Sequence, residues 1–180
     1  MPALSLLFSA ALACVSMGAA AAPRRIALAP PDAEVAFRAY GLGLLPLDGR
    51  FASFRGWLIY DPEDRSNCQV DLAVDVASLT MTDASVRETV VGPEFMDAPR
   101  FPTLAYTGAC QPPGIGGMLG LHGVTRPLQL ALTWNADRVM AEGQLHRADW
   151  GMTAMPFVAG RTVRIQVSVP LPEPLHASRK

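Results

Sequence analysis

The side chains best equipped for chemistry in this 180-residue chain are three histidines, a few cysteines and two closely spaced aspartates. His122, His146 and His176 are far apart, and none has a partner at metal-ligand spacing. Cys68 and Cys110 fall on separate strand-like segments and do not make a zinc site. Asp71 and Asp75 share one strand face, but it is the polar one, which reads as solvated surface rather than paired acid–base work. The chain has no Gly-x-Ser-x-Gly nucleophile elbow. Residues Gly114 to Gly120 are glycine-rich like a nucleotide loop, but the spacing is wrong and no helix follows, so they read as a turn. His122, beside Gly123, belongs to a hairpin turn and reads as structural. Nothing in this inventory argues for an enzyme or a metal.

What the sequence does supply is apolar surface at strand spacing. From Leu128 the large residues alternate as Leu128, Leu130, Leu132 and Trp134, with Gln129, Ala131 and Thr133 between them. A strand with such a row on one face must cover it, either with packed core or with an apolar guest. Cys68 to Val76 alternates without a break, and so does Thr162 to Val169, with Val163, Ile165, Val167 and Val169 on one face. Val139 to Leu145 is a weaker example. In residues 50–60 the even phase (Ala52, Phe54, Gly56, Leu58, Tyr60) turns inward. Trp57 and Ile59 are then left facing out, under a helix or at a contact.

One helix is expected over Asp83–Val91, with Asp83 or Ser85 as its cap and Gly92-Pro93 as its stop. Turn chemistry is dense elsewhere, at Asp61-Pro62, Pro112-Pro113-Gly114 and Asn135-Ala136-Asp137. Seven or eight short strands with one helix between them imply an antiparallel sandwich or barrel in a single domain. The net charge of −1 gives no basis for holding nucleic acid or an anionic membrane non-specifically.

The first residues form a leader. An apolar run from Ala3 to Val15 leads into Gly18-Ala19-Ala20-Ala21-Ala22, and small residues suit signal peptidase. Residues 1–21 are therefore expected to be a cleaved signal peptide and the protein to be periplasmic. The stretch is marginal for a membrane span, and Ala11-Leu12-Ala13 before Cys14 fits a lipobox poorly. Residues 22–34 follow as a Pro-rich lead-in, 35–170 as the domain and 171–180 as a tail. Removing the leader leaves Cys68 and Cys110, which an exported chain can pair. Cys68 opens one strand and Cys110 closes the next beyond the helix, so antiparallel pairing would bring them together.

Several segments together resemble the YceI-like, polyisoprenoid-binding proteins of the bacterial periplasm. They are Phe37-x5-Gly43-x5-Gly49-Arg50-Phe51-x2-Phe54-x-Gly56 with Asp61-Pro62, then Val74-Asp75-Val76-Ala77-Ser78-Leu79. Next come Gly92-Pro93-Glu94-Phe95-Met96-Asp97 running into Arg100-Phe101-Pro102, and Gly120-Leu121-His122-Gly123-Val124-Thr125-Arg126-Pro127. The last is Arg147-Ala148-Asp149-Trp150-Gly151-Met152. Order and spacing agree from Val35 to Val169.

The resemblance implies an all-β fold, a lipocalin-like antiparallel barrel of eight strands with a short helix beside it. It also implies a long apolar pocket for an isoprenoid chain, such as that of a quinone, and no other cofactor. Strand phase nominates the walls of that pocket. They are Phe37, Phe54 and Leu58, then Val70, Leu72 and Val74, then Leu104 and Tyr106. Leu130, Leu132 and Trp134 follow, and Val163, Ile165 and Val167 complete the set. Tyr106 and Trp134 stand out because each joins a large apolar surface to a polar tip. Asp149 and Trp150 are expected to close a loop near the barrel end. Where the family often carries histidines, this chain has Gly41, and Thr89 with Val90, so no imidazole contact to a head group carries over. The expected partner is a hydrophobic small molecule, with a homodimer left open. The competing reading is a stress-protective or structural barrel with a filled core.

Overall fold

The computed structural model describes residues 22–172. The expected signal peptide, residues 1–21, and residues 173–180 of the expected tail lie outside that range.

Eleven strands form one antiparallel sheet. In chain order they are β1 (Arg24–Ala27), β2 (Glu34–Gly41), β3 (Leu45–Phe51), β4 (Phe54–Tyr60), β5 (Cys68–Asp75) and β6 (Leu79–Met81). After the helix α1 (Ala84–Val91) come β7 (Thr103–Gln111), β8 (Gly114–Leu121), β9 (Val124–Trp134), β10 (Arg138–His146) and β11 (Thr162–Pro170).

The eight expected strands are recovered once two corners are recognised. β3 and β4 are arms of one bent strand, parted only by Ala52 and Ser53. β5 and β6 are likewise arms of one strand, bent at the single turn Val76–Ser78. β4 pairs with β5 and β3 with β6, so the hairpin ladder continues across both bends. At the corner the Ala52 N–H donates to the Ser78 carbonyl at 3.1 Å and the Asp75 N–H to the Ser53 carbonyl at 3.0 Å. Asp75 sits on the polar face as expected and accepts from the Ala77 N–H, capping the turn. With these arms joined, pairing runs β2, β3–β4, β5–β6, β7, β8, β9, β10, β11 and back to β2, a closed ring of eight. β1 is an added strand on the outside of β4. Trp57 is half-buried there and lies under the Arg25 guanidinium, 5.5 Å from its ring centroid, rather than under the helix.

The helix forms where expected. The Asp83 carboxylate accepts from the Ser85 and Val86 N–H groups, which satisfies two orphan donors of the first turn. The Ser85 hydroxyl, which donates to the same carboxylate at 2.7 Å, and then those two N–H groups hold its carboxyl below the ordinary carboxylate value. Arg87 of the helix donates to the Leu79 and Ala77 carbonyls, tying the helix to the edge of β6.

The glycine-rich run 114–120 is strand β8, not the turn its composition suggests. Its glycines serve close packing. A Cβ on Gly117 would stand 2.6 Å from the Tyr106 ring and hydroxyl, so this glycine makes room for that side chain. The turn comes next, at His122 (φ 51°) and Gly123 (φ 73°), the two left-handed residues of a two-residue hairpin. His122 Nδ1 lies 3.0 Å from the Trp150 carbonyl and its ring meets Phe101 edge-on. Its role is structural. Trp150 is buried and donates its indole N–H to the Leu119 carbonyl at 3.1 Å, which ties the turn after β10 to β8.

Cys68 and Cys110 form a disulfide, with Cα atoms 4.9 Å apart. Pairing of β5 with β7 sets the start of one strand beside the end of the other.

Candidate functional site

The inward faces of the ring do not meet in a uniform core. One end of the barrel is filled. Leu58, Tyr60 and Val139 are buried there, the Tyr60 and Trp134 rings pack at 5.2 Å, and the disulfide closes the wall. The other end holds a cavity of about 370 Å³, inside the size range of small-molecule sites. It runs from Leu28, Val35 and Val70 at its floor to helix α1 and the loop 152–160 at its mouth.

The row Leu128–Trp134 is therefore divided. Leu128 and Leu130 line the cavity, whereas Leu132 and Trp134 stand at the filled end. Phe37, Val70, Leu72, Leu104, Tyr106, Val163, Ile165 and Val167 line it as well. Phe54, Leu58 and Val74 do not: all three are buried, and Phe54 and Val74, paired with each other beside the cavity-lining Leu104, are covered by neighbouring side chains. For the Leu128–Trp134 row the reason is geometric: alternation fixes which face a residue takes, while strand stagger around a barrel fixes how far along the axis it sits.

The cavity also has walls that strand phase did not nominate. Val35 and Ala39 flank Phe37 on β2, Phe51 lies 6.1 Å from Phe37 ring to ring, and Val86 and Val90 come from the helix. Phe95, Met96, Met155 and Val158 come from loops. One sequence feature could have flagged the last two: residues 150–160 carry no charged side chain.

The polar groups of the cavity are almost all engaged. Tyr106 is buried and its hydroxyl donates to the Leu128 carbonyl at 3.1 Å, so its tip is committed to the barrel rather than offered to a head group. Trp134 lies outside the cavity, with the Arg65 guanidinium 5.2 Å from its ring centroid. Arg147 is the only charged residue in the wall and is 6% exposed. It donates to the Gly160 carbonyl at 2.9 Å, the Ala159 carbonyl at 3.1 Å and the Met152 carbonyl, and stacks over Phe95. Burial pushes its pKa down, but a guanidinium stays a cation in a protein. It clamps the mouth loop. Gly41, Thr89 and Val90 all line the mouth, so no imidazole stands at those positions. Among the described residues no group of three His, Cys, Asp or Glu side chains could hold a metal.

Burial also pushes the Tyr106 phenol up, to about 12. Its folded value lies above the ordinary tyrosine value of about 10. The stability it contributes is thus complete below about pH 10 and is shed as pH rises through about 12. Alkaline unfolding in that window is expected to be shallower in Tyr106→Phe than in the wild type. Identical alkaline profiles by circular dichroism would contradict the assignment.

Against this geometry, the model of the YceI-like domain matches residues 27–171, almost the whole described chain. The chain belongs to the YceI-like family. A UPF0312 protein of Vibrio vulnificus is 32% identical over 105 residues, covering 55% of this chain and 56% of that protein. The chain thus spans about half the length of that relative. Protein YceI of Salmonella arizonae is 27% identical over 175 residues, covering 89% of this chain and 92% of its own. Among solved structures, Burkholderia cenocepacia BcnA aligns with a TM-score of 0.67 at 17% identity, covering 78% of this chain and 96% of that one. A polyisoprenoid binding domain from Saccharophagus degradans, implicated in plant cell wall breakdown, aligns with a TM-score of 0.58 at 14% identity, covering 82% and 98%. At such identities the solved structures establish the YceI-like fold, and the chemistry of this member rests on its own residues.

Proposed function

We propose that this YceI-like protein sequesters or carries a hydrophobic isoprenoid-like lipid, such as a polyisoprenoid quinone, in the periplasm after removal of its leader. The observation that carries the reading is the cavity: apolar on nearly all sides, closed at one end and open at the other. An apolar chain needs no directional contacts, and its binding scales with the area it buries, at roughly 25 cal/mol per Å². The polyisoprenoid-binding domain among the fold relatives supports the same reading. A structural barrel with a filled core is disfavoured, because only one half of this barrel interior is filled.

The cavity supplies walls for a tail and little for a head. Tyr106 is committed to a backbone carbonyl and Arg147 to three, and the mouth offers no imidazole. Selection should therefore follow the tail. An organic extract of the purified exported protein, read by mass spectrometry, is expected to contain a lipid with an isoprenoid chain. Added quinones sharing one head group should bind more tightly as the tail lengthens. An empty extract with no quinone uptake would overturn the proposal. Intact mass of the same material tests export: the chain is expected to begin near Ala21 or Ala22, and a mass retaining Met1 to Ala20 would refute cleavage.

A further inference from the structure

The apolar surface of the cavity continues outward past its mouth. The β2–β3 turn presents Leu42, Leu44 and Leu45, and the neighbouring loop presents Met155, Phe157 and Val158. Phe157 is 94% exposed, Leu44 84% and Leu42 63%. The two tips are joined: the Leu42 N–H donates to the Val158 carbonyl at 2.7 Å, and the Gly160 N–H to the Tyr40 carbonyl at 2.7 Å. Met155 and Val158 belong to both the cavity wall and the exposed patch. We propose that these tips are a membrane-docking surface, which enters the interfacial layer of a lipid bilayer and sets the cavity mouth against the acyl chains. The proposal builds on the lipid-carrying reading, but docking itself requires no occupant in the cavity.

Three features select a bilayer as the occupant. Neither tip carries a charge: residues 39–47 lie between Arg38 and Asp48, and residues 150–160 between Asp149 and Arg161. Arg38 and Asp48, which border the first tip, neutralise each other at 2.6 Å. An uncharged apolar patch of this kind suits the boundary between head groups and acyl chains. The patch also surrounds the exit route, so a tail leaving the cavity between the tips would pass into acyl chains without crossing water. A second copy seated there would seal that route. Finally, the described chain ends lie at the other pole of the barrel. Arg24 pairs with Tyr60, and the Leu171 N–H donates to the Asp137 carbonyl, so neither described end crosses the mouth.

The test is flotation of the exported protein with phosphatidylcholine vesicles containing no isoprenoid. Wild type is expected to float with the vesicles, to the same extent at low and high salt, since no charged pairs are involved. Leu44→Asp with Phe157→Asp should lower the partition coefficient by at least roughly tenfold, with an unchanged thermal midpoint because both side chains are exposed. A Phe157→Trp reporter should shift its emission to the blue and be quenched by brominated acyl chains. Wild type remaining off the vesicles would overturn the proposal, as would equal flotation of the doubly acidic variant. So would a dimer in sedimentation that the same two substitutions break. Protein that yields a lipid extract but does not float would sink docking alone, and protein that floats but never takes up lipid would sink the carrier reading alone.

Discussion

Replacing Cys68 and Cys110 with alanine is expected to cost about 3–4 kcal/mol and to lower the thermal midpoint by roughly 10 °C. The bond joins residues separated by 42 positions, and in the chain-entropy account closing such a loop restricts the unfolded chain. The whole of β6, the helix and most of β7 lie within it. Scanning calorimetry with and without a reductant, on wild type and on the double alanine variant, measures the loss. An unchanged midpoint in both comparisons would refute it. Thiol titration in denaturant offers an independent check: a chain without its leader should show no reactive thiol, because Cys14 is the only other cysteine.

The second large effect separates the two halves of the barrel interior. Ala39→Trp, in the cavity wall near the mouth, is expected to abolish co-purifying lipid while leaving the lipid-free melting point within a few degrees of wild type. Its ring has vacant space to enter. Leu132→Trp should do the reverse. It overpacks a filled region, at a cost of about 1–3 kcal/mol, while the cavity keeps its occupant. Lipid extracts and thermal midpoints of the two variants form one experiment. If Leu132→Trp expelled lipid and Ala39→Trp did not, the placement of the cavity would be wrong.

The strongest signals in the sequence were the cleanest alternations. β5 and β11 emerge with nearly the bounds their pattern predicts, because each turns one apolar face inward along its length. The helix was legible from Asp83 and Gly92 for an equally local reason: both act on the first and last turns directly. β8 was hidden because its glycines look like turn residues until their strand neighbours, such as the Tyr106 ring against Gly117, are in place. The extent of the cavity was hidden for a deeper reason. Leu130 and Leu132 are two positions apart with the same pattern and the same side chain, yet one lines the cavity and the other does not. Their difference lies in what stands across the barrel, which no local window contains. The mouth was the least legible part, since Met155 and Val158 sit in a loop with no period to read.

The ring of pairings closes where β2 meets β11, with Val35 opposite Val167 and Arg38 opposite Arg164. Every other seam joins strands adjacent in sequence or separated by a short excursion; this one joins the two ends of the domain. Closing so long a loop costs more entropy than any hairpin, and contacts of this separation slow folding. The order of assembly follows. Hairpins from β3 to β10 can form as local units, while the container stays unzipped along one side until the final strand docks. A chain stalled or clipped before Thr162 would present its cavity-lining side chains as an open trough with two unpaired strand edges, the template on which sheets of different molecules join.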